Sequence, residues 1–168
     1  VNGEPRTVGL YDLCRHYIDH RLDVVVRRTK FRLARAEERL HIVAGLLVAL
    51  EAIDEVVSII RASEDTTVAR KALMKRFALS RVQTDHILDM PLKRLTALEV
   101  QRLEEEKAGL EEAIAAHQAL LRSEKRQRTL VLDELGAAVD QFARERRTEI
   151  VDPDDLPVFE AAAVADDV

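Results

Sequence analysis

The sequence predicts an all-α fold: a long antiparallel coiled-coil hairpin with a small helical knob at its tip and a short β-strand near the C-terminus. Three observations carry this expectation. Residues 10–50 hold no Pro and one Gly, Gly45. Within them Leu33, Ala36, Leu40, Val43, Leu47 and Leu50 recur in alternating steps of three and four, which lines six side chains along one stripe of a helix and demands a partner helix. Leu103, Lys107, Leu110, Ile114, His117 and Leu121 repeat the same alternation further down the chain. A closed hairpin is the simplest way for both stripes to leave water, and the segment between them is long enough to fold as a cap at its tip.

Taken in order, residues 1–9 contain Gly3 and Pro5 and read as an opening strand or loop, with Thr7 placed to cap the helix that follows. The outgoing coiled-coil helix is expected over residues 10–53. Between Arg15 and Arg39 eight bases stand against four acids, so this helix is locally basic in a chain whose net charge is -5. The knob is expected over residues 54–96: Asp54 opens a short helix, Asp65 or Thr66 the next, and Ser80 with Gln83 forms a capping box for a third. Pro91 ends that third helix. A second capping box, Thr96 with Glu99, starts the return over residues 97–145. From Glu99 to Glu112 six acids stand against Arg102 and Lys107, so the returning helix complements the outgoing one. Lys107 and His117, polar residues on the return stripe, read as pins of register. Ser123 caps a last helix with Leu130, Leu135, Val139 and Phe142 as its apolar side. Residues 146–151 read as a short strand, and residues 152–168, with six acids and no base, as a linker or tail.

Composition narrows the function classes. A hydrophobic fraction of 47% excludes a disordered chain, while 34% charged residues, 4% aromatics and no Trp suit helices with coiled-coil faces. So few aromatics leave little for a single-strand nucleic-acid binder to stack on. No apolar run is long enough to span a bilayer. The lone Cys14, beside Leu13 and Tyr17, reads as a buried free thiol of a reducing compartment. A chain that opens on Val1, with Met74 and Met90 its only methionines, reads as an excised or processed piece.

Several motifs in sequence order now point to a family. His20-Arg21, Arg27-Arg28-Thr29, Leu33, Ala36, Arg39, His41-Ile42 and Gly45-Leu46 resemble the outgoing coiled-coil helix of the A subunits of bacterial DNA gyrase and topoisomerase IV. Ile53-Asp54, Ile60-Arg61-Ala62-Ser63, Leu79-Ser80 with Gln83, Ile87-Leu88-Asp89-Met90, Leu92, Arg94-Leu95-Thr96, Leu98-Glu99 and Arg146-Arg147-Thr148-Glu149-Ile150 continue the likeness over about residues 3–151. Asp85-His86 departs from the small residues usual in the family, Pro91 from a basic or polar one, and Ala143-Arg144-Glu145 from a Gly-containing turn.

The resemblance implies a segment of a type IIA topoisomerase, in which a coiled coil carries a dimerisation knob that forms the exit gate for the transported duplex. It implies a homodimer through the knob, with Ile87, Leu88, Met90, Leu92 and Leu95 the expected interface. The partners it implies for the parent are duplex DNA and the B subunit. It also implies a cytoplasmic, nucleoid-associated parent and no membrane partner. The family's catalytic tyrosine lies upstream, and neither Tyr11 nor Tyr17 stands in its Arg-Tyr context. The segment is therefore expected to be non-catalytic and free of cofactor, with Mg²⁺ and ATP bound elsewhere in the parent.

Other chemistry reads more weakly. Asp12, His16 and His20 share a helical face, but no further ligand completes a metal site, and packing or hydrogen bonding of the histidines is the simpler reading. Arg21, Arg27 and Arg28 are the candidate DNA contacts, because dense cations give sequence-independent phosphate affinity. Acids on the same helix and on the expected partner compete for that charge. Asp85 and Asp89 argue against a groove-reading helix, and no Gly-x-Ser-x-Gly elbow or phosphate loop is present. An adaptor or chaperone-like hairpin that grips a protein through its tip is the alternative function.

Overall fold

The computed structural model describes residues 7–91, 95–145, 147 and 148. Six α-helices make up its regular structure, and no strand occurs among the described residues: α1 (Leu10–Glu51), α2 (Ile53–Ala62), α3 (Thr66–Phe77), α4 (Arg81–Leu88), α5 (Ala97–Leu121) and α6 (Glu124–Phe142). Of the expected strand, residues 146 and 149–151 lie outside the described residues, as does the acidic segment 152–168. The chain divides into two compact units, Val1–Asp133 and Glu134–Val168, with the division inside α6.

In the first unit α1 rises over about 63 Å and packs along α5. Its C-terminal part also receives α4, and α3 joins α2 to α4. The core lies where these helices meet: Val43, Leu46 and Ala49 of α1, Val56 of α2, Leu73 of α3, Leu79, Ile87 of α4 and Leu103 of α5 are buried together. Burying each large aliphatic side chain contributes about 1.5–3 kcal/mol, so this cluster holds the first unit. Val25, Thr29 and Val131 are buried outside it. In the second unit Val139 and Phe142 are exposed. The expected apolar side of α6 is therefore uncovered at its C-terminal end, while Leu130 and Leu135 are half-buried.

Local side-chain capping marks three of the six helix starts. Asp65 accepts from the Thr67 and Val68 backbone N–H groups, and Ser80 with Gln83 forms the full capping box. The Arg126 N–H donates to Ser123 Oγ at 3.3 Å at the start of α6. Three starts differ from expectation. α1 begins after Gly9, without a side-chain cap from Thr7. The α1–α2 break is a single bent residue, Ala52 (φ -116°, ψ 37°), so Asp54 falls in the first turn of α2, where its charge meets the positive end of the helix dipole. Thr96 is the N-cap of α5 but gives no side-chain cap bond, and Glu99 pairs with Arg102 at 2.6 Å instead.

Candidate functional site

α2 carries apolar residues at 53, 56, 57 and 60, the spacing of one helix face. That face does not end in the core. With Arg61, with Ile87 and Leu88 of α4, and with Met90 and Leu95 beyond it, it lines an open apolar groove of about 320 Å³. Val56 and Ile87 form its buried floor, Ile53, Leu88 and Met90 are half-buried against the core, and Ile60 at the edge is 37% exposed. The groove thus gathers Ile87, Leu88, Met90 and Leu95 from the expected interface. Ile87, only 4% exposed, serves the core more than the surface. Leu92 lies outside the described residues. The α2 wall was missed by sequence reasoning, although its spacing was the available signal.

A polar clasp fixes α4 on α1 beside this groove. Gln83 is buried, and its Nε2 donates to the His41 carbonyl of α1 at 2.8 Å. Its Oε1 accepts the Ser80 N–H at 2.9 Å, while Ser80 Oγ accepts the Gln83 N–H and lies 2.7 Å from His41 Nε2. Gly45 makes the approach possible: a Cβ there would stand 2.7 Å from Gln83 Cγ. The glycine inside the long helix is therefore a packing residue. Asp85, the departure from family pattern, pairs with Arg70 of α3 and lies 3.8 Å from Arg81 Nε. Arg76 of α3 pairs with Glu55 of α2. These two pairs tie α3 to its neighbours on both sides.

Along the α1–α5 seam, Val43 and Leu103 are buried, and Leu33, Ala36, Leu40, Leu47, Leu50, Leu110, Ile114 and Leu121 are half-buried, as are Lys107 and His117. Arg39 forms a two-pronged pair with Glu106, at 2.6 Å through Nε and 2.9 Å through Nη2. The hydrogen bond that the Arg39 guanidinium donates to the Glu106 carboxylate raises the Arg39 pKa above its ordinary value, against the opposing effect of burial. A second depression of about 400 Å³ next to the seam holds Glu51, Glu104 and Glu111 with Lys107.

The candidate DNA contacts divide. Arg27 is exposed but pairs with Asp23 at 2.9 Å, and Arg21 and Arg28 are half-buried. Cys14 is exposed, contrary to expectation, because the apolar residues around it, Leu10, Tyr11, Leu13, Tyr17 and Ile18, are exposed as well. Among the described residues no three His, Cys, Asp or Glu side chains converge as a metal site requires. No described helix is long and apolar enough to cross a membrane.

Comparison with known proteins adds a second line of observation. The family model for the DNA gyrase/topoisomerase IV A subunit matches residues 1–136. The chain is 47% identical over 154 residues to the DNA gyrase A subunit of Mycobacterium tuberculosis and 44% identical over 151 residues to that of Streptomyces coelicolor. These alignments cover 92% and 90% of the chain and 18% of either relative. The Treponema pallidum protein of the same name is 42% identical over 151 residues, 90% of the chain and 19% of the relative. The chain thus spans about a fifth of the length of the curated relatives it matches.

Proposed function

We propose, from the premise that this chain belongs to the family of DNA gyrase and topoisomerase IV A subunits, that it is the exit-gate segment of a bacterial type IIA topoisomerase. In this reading α1 and α5 form an antiparallel hairpin, α2–α4 form the knob at its tip, and the knob pairs with its twin. The parent passes one DNA duplex through a transient double-strand break, and the knob contact opens to release it. Relatives that carry the DNA gyrase name favour gyrase over topoisomerase IV as the parent. The segment acts mechanically. Its tyrosines, Tyr11 and Tyr17, lie exposed at the start of α1, and cleavage, ATP and Mg²⁺ belong to other parts of the enzyme.

One observation carries this reading: an apolar groove stands open on the α2–α4 cluster, where no further helix covers it among the described residues. Burying such a surface against an identical one is what a two-fold contact does. Sedimentation equilibrium of the chain over a concentration range tests it. A dimer is expected, and Met90→Glu should weaken it by about tenfold or more, because a carboxylate buried at the contact loses its water. A monomer at high concentration overturns the gate reading and favours the adaptor.

A further inference from the structure

We infer that α2 is self-complementary: it pairs antiparallel with α2 of a second copy, with Asp54 of each copy meeting Arg61 of the other. The inference rests on the exit-gate reading and specifies its contact.

Asp54 and Arg61 are seven residues apart, so they project from the same side of α2 and are separated along its axis by about 10.5 Å. That is too far for them to pair with each other. Both are exposed, and neither makes an ion pair or side-chain hydrogen bond among the described residues. The other charged residue of α2, Glu55, is already taken by Arg76. An acid at one end and a base at the other end of one face is the pattern that a two-fold axis satisfies twice. The antiparallel arrangement sets each charge against its opposite, whereas a parallel one sets Asp54 against Asp54. It also opposes the two helix dipoles favourably.

The axis then passes between Val57 and Ser58, midway between the two charges. Ser58 is exposed and small, which lets the two backbones approach. Val57 and Ile60 of one copy enter the groove of the other, whose far wall is Leu88, Met90 and Leu95. Arg61 lines the groove and is exposed, within reach of the second copy. The charges supply orientation, and the apolar residues supply the buried area.

The test is a charge-reversal cycle read by sedimentation equilibrium, with circular dichroism melts to confirm that each variant is folded. Asp54→Lys and Arg61→Glu each place like charges opposite one another at both ends of the contact and should weaken the dimer by about tenfold. The double variant Asp54→Lys/Arg61→Glu restores opposite charges and should recover to within about threefold of the starting chain. As an independent check, Ser58→Cys in a Cys14→Ser background should give a covalent dimer with a short bifunctional maleimide. If the unaltered chain dimerises but the double variant fails to recover, or the Ser58→Cys variant does not cross-link, the α2 pairing is overturned and the gate reading stands. If the unaltered chain remains a monomer, both are overturned.

Discussion

The two ends of α1 share a helix but not an environment. Near the N-terminus Leu10 is 78% exposed and Leu13 56%, while near the C-terminus Val43 is 0% and Leu46 3% exposed. Hydrogen bonding along the helix is the same in both places, and so is the supply of apolar side chains. What differs is the company. The C-terminal part receives α4, α5 and, through the shared core, α2 and α3, and the N-terminal turns receive no comparable cover among the described residues. Helical periodicity therefore reports which side chains share a face. It does not report whether that face is covered.

Truncation at the two ends gives the sharpest test of this contrast. Leu46→Ala should cost about 2–5 kcal/mol, since the removed methyl groups leave a cavity among packed neighbours. Leu13→Ala should change stability by less than about 0.5 kcal/mol. Urea denaturation of both variants measures the difference, and equal losses would break the comparison.

Glycine replacements in the two paired helices come next in size. Gly45→Ala should destabilise by about 1–3 kcal/mol, because the new methyl collides with the buried Gln83 side chain. That cost outweighs the gain in helix propensity of about 1 kcal/mol. Gly109 in α5 has nothing within 4 Å of the corresponding position, so Gly109→Ala keeps the gain and should raise the melting temperature. A stabilising Gly45→Ala would mean that α4 does not rest on α1.

The smallest effect is expected at the Arg39–Glu106 pair. Both side chains are more than a third exposed, at 42% and 36%, so solvent screens the attraction and Arg39→Met should cost only about 0.5–1 kcal/mol. Its raised pKa sets the sign of the pH dependence. The Arg39 contribution is complete below the ordinary guanidinium value and is lost only as pH rises through the higher folded one. Stability differences between Arg39→Met and the unaltered chain should therefore hold steady through mildly alkaline solution. Added salt should shrink them.

Much of the architecture was legible because it is encoded locally. Steps of three and four residues mark α1 and α5. Asp65, Ser80 and Ser123 start their helices through side chains that reach backbone donors two or three residues away. Thr96 and Glu99 carry the same pattern without forming the box: the Glu99 N–H donates to the Thr96 backbone carbonyl, and Arg102, also local, pairs with the Glu99 carboxylate. The candidate groove was only half legible. Ile87, Leu88, Met90 and Leu95 stand together near the Pro91 turn, but their opposite wall comes from residues 53–61, distant in sequence. Gly45 could be seen as an oddity in a long helix, yet its role depends on Gln83, brought beside it by the fold.

The sequence by itself determined the helices, the polarity of the two long ones and the membership of the chain in its family, because propensity, capping and motif order are properties of neighbours along the chain. Tertiary structure alone decided which seam positions are buried, that Cys14 and the start of α1 face solvent, that α4 clasps α1 through Gln83, and that α2 forms one wall of an open groove. Burial is the removal of water by atoms from elsewhere in the chain. No local pattern specifies where those atoms arrive.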